Sequence, residues 1–312
     1  MTTLPQLLGH PMVSDGGMET DLIFHHGVDL PHFAAFPLLD DPKGMALLAD
    51  YYDGYATIAR SAGVGLMLES PTWRASTDWG ALLGYDLRRL AEVNRAAMAF
   101  LHQLRDAYSD EIVEMVVSGM VGPRGDGYQP GPAQDPAEAM QYHLPQVRAL
   151  AEGGADVITA YTLTDLGEAI GVTRAAREVG VSVAISFTVE TDGRLPSGET
   201  LANAIEGVDS SAAPDYYLVN CAHPEHIERA LDDDDGEWRQ RIIGTRANAS
   251  VLSHAELDEA TGLDDGDPTE LAAGQDRLRT LLPNLAIVGG CCGTDARHVE
   301  AMWGGPHNGP IT

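Results

Sequence analysis

The sequence predicts an α/β fold, a single (β/α)8 TIM barrel that takes up residues 1–312 as one domain. Three observations predict it. A short β-rich apolar run, a loop and an amphipathic helical stretch recur eight times along the chain. No linker or low-complexity segment interrupts the alternation. The first strand runs into "SDGGME", which is not the GxGxxG turn that opens a doubly wound sheet.

The first period is "PMVSDGG", followed by a long loop and a helix from Pro42 to Ala62. The second strand is "VGLMLES" (64–70), with a helix from Asp86 to Tyr108. The third is "EIVEMVVSG" (111–119), then a Gly/Pro-rich loop and a helix from Asp135 to Glu152. The fourth, "ADVITAYT" (155–162), precedes a helix starting near Asp165, and the fifth, "VSVAISFTVE" (181–190), one near Thr200. The sixth, "DYYLVNC" (215–221), leads to a helix opened by Pro224, a favoured first-turn residue. The seventh, "RIIGTRAN" (241–248), leads through a long acidic loop to a helix from Pro268 to Leu282. The eighth, "LAIVGG" (285–290), runs into two cysteines and a last helix near Asp295.

Charge narrows the partners. Forty-seven acidic residues face nineteen basic ones, of which a single one is lysine (Lys43), for a formal net charge of −28. Such a surface repels nucleic acid and anionic membranes. It suits a cytoplasm of high salt, where self-repulsion is screened. The acid runs "LDDDDGEW" and "GLDDGDPTE" read as solvated loops. No apolar stretch is long enough to span a bilayer, and the N-terminus lacks a signal-peptide pattern, so a cytoplasmic setting is expected. Three cysteines cannot all pair, and reduced thiols follow. Oligomeric state is left open.

Barrel enzymes build their sites at the C-terminal ends of the strands, and the unusual residues gather there. Asp15, Gly16 and Gly17 follow strand 1; Glu69, Thr72 and Arg74 follow strand 2. Tyr161 and Thr162 close strand 4, Glu190 follows strand 5, and Asn220 and Cys221 close strand 6. Arg246 and Asn248 follow strand 7; Cys291 and Cys292 follow strand 8. All three cysteines thus share one rim. Three thiolates converging on one point, with a fourth position open, is the layout of a catalytic zinc site. His223, two residues beyond Cys221, is a candidate fourth ligand. Other readings stand beside this one: a vicinal disulfide, cysteines packed as small hydrophobes, or a glycine loop approaching a phosphate.

At these residues the chain resembles the homocysteine S-methyltransferase family. The resemblance rests on "SDGGMET", "SGMVGP", "VNCAHP" and "GGCCGT", which are spread over nearly the whole chain. It implies a zinc-dependent barrel that methylates the thiol of homocysteine to give methionine. It makes Cys221, Cys291 and Cys292 the catalytic Zn2+ ligands. Asp15, with Gly16 and Gly17, would hold the amino-acid end of the substrate, and Thr72, Tyr161, Thr162 and Asn220 would complete the substrate site. A sulfonium, S-methylmethionine or S-adenosylmethionine, is the implied donor, because one barrel leaves no room for folate and corrinoid domains. Common members carry Glu-Thr at the end of strand 4, where the glutamate helps bind the substrate amine. Here the segment reads "VITAYTLT", so Tyr161 replaces it. Glu69 and Glu190 are the candidate replacements, and Arg74 and Arg246 could grip a carboxylate. The substitution admits another small thiol as acceptor. A non-catalytic zinc or redox thiolate sensor is the alternative from outside enzymology.

Overall fold

The computed structural model describes residues 4–128, 131–232 and 236–304. The centre of the first acid run, residues 233–235, lies outside them. Eight parallel strands close into a barrel in sequence order. They are β1 (Met12–Val13), β2 (Gly65–Glu69), β3 (Met115–Val121), β4 (Val157–Leu163), β5 (Ser182–Phe187), β6 (Tyr216–Asn220), β7 (Ile242–Ala247) and β8 (Ile287–Gly290). Strand β1 seals the ring, since Met12 pairs with Gly65 on one side and Ile287 on the other. The expected TIM barrel is the observed one.

Both faces of these strands are covered, which is why they read as continuous apolar runs. Inward-pointing Met12, Met67, Val116, Val157, Ala184, Tyr216, Leu218 and Ile287 fill the barrel. Outward-pointing Leu66, Leu68, Val117, Ile158, Val183, Ile185 and Val288 meet the surrounding helices. The main helices are α2 (Pro42–Ala62), α4 (Leu87–Tyr108), α5 (Pro136–Glu152), α6 (Leu166–Val179), α7 (Leu201–Ala212), α8 (Pro224–Leu231), α10 (Pro268–Leu281) and α11 (Ala296–Trp303). Part of the acid surplus has a local task. Among the described residues, Asp41, Asp86, Asp135, Asp165, Asp267 and Asp295 each accept backbone N–H groups at a helix N-cap. No helix among the described residues is long and apolar enough to cross a membrane.

The departures fall at the ends of elements. The expected third strand starts four residues early. Glu111 and Ile112 donate instead to the Tyr108 carbonyl and finish the turn of α4, leaving Val113 exposed. Three short helices, α1 (Met18–Phe24), α3 (Thr77–Leu82) and α9 (His254–Asp258), occupy loops after β1, β2 and β7. They are too short to show helical periodicity. The long acidic loop after β7 is therefore partly built: Ser253 and Glu256 form a reciprocal capping box at the start of α9.

Candidate active site

Two backbone breaks shape the mouth of the barrel. Along a strand, neighbouring side chains point to opposite faces. Yet Tyr161 and Thr162 both line one cavity, and so do Asn220 and Cys221. Thr162 (φ 62°) and Cys221 (φ 56°) take the left-handed conformation, which breaks the alternation. This is costly for a β-branched threonine, of order 1–3 kcal/mol. Asn220 clamps the first break: its Oδ1 accepts from the Thr162 N–H at 2.9 Å, and its Nδ2 donates to Thr162 Oγ1 at 2.9 Å. The second is held by the Cys221 N–H, which donates to the Arg246 carbonyl at 3.1 Å.

These turns bring the sulfurs together. Cys221, Cys291 and Cys292 present sulfur atoms that all lie within 4.8 Å of one another, the Cys221–Cys292 pair at 3.6 Å. All three are free thiols. Hydrogen bonds from Cys221 and Cys292, and then the Arg246 charge, hold Cys291 well below the ordinary thiol range. Hydrogen bonds with Cys291 and Cys292, and then burial, push Cys221 up. Glycine here serves close approach. Gly17 abuts the Cys291 carbonyl so tightly that a Cβ would overlap it, and this seats the loop after β1 against the loop after β8.

A second layer supports the sulfur of Cys221. The Tyr128 hydroxyl meets Cys221 Sγ at 3.2 Å, and its ring stacks on His254 with centroids 4.4 Å apart. His254 Nε2 faces the Cys221 carbonyl at 2.7 Å, and Nδ1 faces Glu190 Oε1 at 2.9 Å. Burial opposes charge on this imidazole, but the Glu190 carboxylate and the Cys221 carbonyl outweigh it and raise its pKa. Asn220 Nδ2 reaches Cys291 Sγ at 3.7 Å.

The opposite half of the mouth is a polar chain. Arg246 pairs with Asp15 at 2.5 Å and donates to the carbonyls of Gly16 and Gly290 at 2.9 and 3.0 Å. Its guanidinium lies 4.8 Å from the centre of the Tyr161 ring, and the Tyr161 hydroxyl donates to Glu69 Oε1 at 2.6 Å. Burial pushes Asp15 up to about 6 against the pull of Arg246. Arg74 is buried between the rings of Trp73 (4.1 Å) and Trp79 (3.6 Å) and bonded to Asp126 at 3.3 Å. Burial lowers its pKa to about 10.

The cavity, about 340 Å3, is lined by the three cysteines and by Asp15, Gly16, Gly17, Tyr161, Thr162 and Asn220. Thr72 is not brought to it. Its hydroxyl donates to the Met120 carbonyl at 2.7 Å and meets Ser70 Oγ, so it ties the β2 loop to β3 while Ser70, Pro71 and Trp73 face the cavity. Glu69 is fully buried against Tyr161 and does not line it either. His223 caps α8 and packs against His226, apart from the sulfur cluster. Sequence reasoning missed Glu19, Tyr128 and His254. Tyr128 sits in a loop and His254 opens the five-residue α9, neither with a periodic signal, whereas Glu19 stood within the quoted "SDGGMET" segment.

Comparison with known proteins decides the family. The family model for homocysteine S-methyltransferase matches residues 12–303. The chain belongs to the homocysteine S-methyltransferase family. It is therefore a methyltransferase. The homocysteine S-methyltransferase YbgG of Bacillus subtilis is 24% identical over 310 residues, covering 94% of each chain. The homocysteine S-methyltransferase of Escherichia coli is also 24% identical, covering 93% of this chain and 94% of that one. Among solved structures, the homocysteine methyltransferase MmuM from Escherichia coli superposes in its oxidized form with a TM-score of 0.73 at 19% identity, covering 94% and 95% of the two chains. Its metallated form gives 0.72 at 20% identity, covering 95% and 96%. At these identities the structures speak for the barrel, and family membership rests on the sequence match.

Proposed function

We propose that this protein is a zinc-dependent S-methyltransferase of the cytoplasm. It moves a methyl group from a sulfonium donor, S-methylmethionine or S-adenosylmethionine, to homocysteine and gives methionine. The observation that carries the reading is the convergence of Cys221, Cys291 and Cys292 within 4.8 Å on a cavity that all three line. The donor set fits zinc. Three sulfurs about 2.3 Å from one tetrahedral ion stand about 3.8 Å apart, and the Cys221–Cys292 sulfurs stand at 3.6 Å. Bound there, zinc would hold the acceptor sulfur as a thiolate at neutral pH, where a free thiol is mostly protonated.

The protein's own residues do the rest by binding and orientation. Asn220 and Tyr128 direct polar hydrogens at the cysteine sulfurs and hold them in place. Trp73, Met120, Phe24 and Phe33 give the cavity apolar walls that limit water around the reacting atoms. In the transfer, a C–S bond forms between the acceptor sulfur and the methyl carbon as the methyl–sulfonium bond breaks. The bonding pair stays with the donor sulfur, which leaves as a neutral thioether, and the acceptor's thiol proton passes to solvent. No group has to protonate the leaving group. In the mouth, Asp15 is ion-paired with Arg246.

The test is metal analysis of the purified protein together with methyl transfer from both donors to a panel of thiols. One zinc per chain is expected, with one further Zn–S contact in X-ray absorption when homocysteine is added. Cys291→Ser should lose both metal and turnover. Full turnover by Cys291→Ser would sink the reading. Tyr161 at the strand 4 position supports a second acceptor reading, and turnover of another thiol with none of homocysteine would favour it.

A further inference from the structure

We propose that Arg74 is a positioning residue for the sulfur centre, acting through Asp126 on the Tyr128 hydroxyl that meets Cys221. The proposal rests on the zinc reading above and deepens it. Sequence offered Arg74 as a grip for a ligand carboxylate, but the structure gives that grip to the chain itself. Its Nη1 donates to the Gly125 carbonyl at 3.1 Å and its Nη2 to Asp126 Oδ2 at 3.3 Å. The other oxygen of the same carboxylate, Oδ1, accepts the Tyr128 N–H at 2.8 Å. Tyr128 in turn presents its hydroxyl to Cys221 Sγ at 3.2 Å. One carboxylate therefore joins the guanidinium to the residue that touches the sulfur.

The two ends of this relay differ in rigidity, which gives it a direction. Arg74 is buried, with its guanidinium 4.1 Å from the centre of the Trp73 ring and 3.6 Å from that of Trp79. A planar cation held between two indole faces has little freedom to turn. Around it, the β2 loop is tied down by Thr72 at the Met120 carbonyl, and the Trp73 carbonyl accepts the Gly122 N–H at 3.0 Å. Segment 122–128 is the softer end. It reads "GPRGDGY", with three glycines and neither helix nor strand, and the side chain of its Asp126 is 43% exposed. Ordering such a segment costs conformational entropy, so its last side chain keeps a fixed place only where the backbone is held. A tie at the Arg124 N–H, to Glu168 Oε1, lies four residues before Tyr128. Arg74 holds the closer Gly125 and Asp126. Stacking on His254 fixes the plane of the Tyr128 ring but lets it slide within that plane. The bond from the Tyr128 N–H to Asp126 sets where in the plane the hydroxyl stands. A ligating sulfur that accepts a hydrogen bond is held in orientation, and its donation to the metal is tuned.

The test compares zinc affinity of the full chain, by competition with a chromophoric chelator, for native protein, Arg74→Met, Tyr128→Phe and the double variant. Methionine fills the slot between the indoles without a charge. Arg74→Met should weaken zinc binding about 5-fold or more, within the loss that Tyr128→Phe alone causes. The double variant decides, since a residue that acts only through the Tyr128 hydroxyl has nothing left to move once that hydroxyl is gone. It should bind zinc within about 2-fold of Tyr128→Phe. Cobalt(II) in place of zinc gives a second readout. Loss of the hydrogen bond at Cys221 should shift the sulfur-to-cobalt charge-transfer band in the same sense in both single variants. Asp126→Ala breaks the link from the other side and should match Arg74→Met, and it carries the test if Arg74→Met does not fold. Equal losses from Arg74→Met in the native and Tyr128→Phe backgrounds overturn the proposal, because a residue that only supports the fold behaves that way. Unchanged zinc affinity in Arg74→Met overturns it too, and with a change confined to the KM of a substrate would assign Arg74 to ligand binding. If the native protein binds no zinc, the zinc reading falls and this proposal falls with it.

Discussion

The two halves of the barrel mouth are built on opposite plans. On the side of β6 and β8, backbone turns gather three sulfurs and leave them facing the cavity. On the side of β1, β2, β4 and β7, side chains satisfy one another: Asp15 with Arg246, Tyr161 with Glu69, Arg74 with Asp126. The open half is ready to take a ligand from outside. The closed half is a scaffold in which Asp15, Arg246 and Arg74 are already ion-paired. Arg246 joins the two, because it bonds Asp15 and also the Gly16 and Gly290 carbonyls of the loops that flank the sulfurs. Preorganisation here is thus a property of the closed half, and binding capacity a property of the open one.

The largest expected effect comes from opening the closed half. Arg246→Met leaves the buried Asp15 carboxylate without its partner. The expected loss is about 3–5 kcal/mol of folding stability, read from the denaturant midpoint in molar KCl. The double variant Asp15→Asn with Arg246→Met should recover much of it, since the stranded charge is gone. A loss of under about 1 kcal/mol, the scale of an exposed ion pair, would break the comparison.

A smaller effect belongs to the open half. Tyr128→Phe removes the hydroxyl at Cys221 Sγ and keeps the ring stacked on His254. Zinc affinity should fall by about 10- to 100-fold, the usual cost of losing an outer-layer partner of a ligand. Folding stability of the metal-free chain should change little. Competition with a chromophoric chelator measures the first and thermal unfolding the second. Unchanged affinity would mean that the sulfurs are positioned by backbone alone.

The same division explains what could be read from sequence. Thiol ligands announce themselves: three cysteines, all at strand ends, limit the metal hypothesis before any fold is known. The barrel was equally legible because strand and helix periods differ and recur. Recognition residues were not, because their roles depend on which neighbour claims them. Thr72 looked like a rim residue, but its hydroxyl is taken by the Met120 carbonyl. Glu69 and Glu190 looked available, yet Tyr161 and His254 had taken them. Glu19 was in plain view within "SDGGMET", inside a helix of seven residues that no periodicity reveals. Tyr161 and Thr162 could be named together only as a motif, since strand alternation alone would send one of them away from the cavity.

The smallest effect tests how the cysteine loop is anchored. Asp295 caps α11 directly after "CCGT", bonding the Arg297 N–H at 2.9 Å, the Arg297 guanidinium and the His298 ring. Burial pushes its pKa up, but the hydrogen bonds with His298 and Arg297 outweigh that and hold the carboxyl well below the usual carboxylate range. The sign follows from linkage: a depressed folded pKa gives stability that is complete above the unfolded value, near 3.9, and is lost as pH falls towards the folded one. Asp295→Asn keeps a capping side chain but loses the charge, so its deficit at pH 7 should be about 1 kcal/mol. That deficit should hold down to about pH 5 and shrink as the pH drops through 4 and below, where native Asp295 takes up its proton. Paired denaturant titrations of native and variant protein across this range measure it. A deficit that stays constant to the acid end would mean that the carboxylate charge contributes nothing. The cysteine loop would then be anchored by its other bonds, the Thr294 hydroxyl to the Cys291 carbonyl and the Gly293 N–H to Thr20.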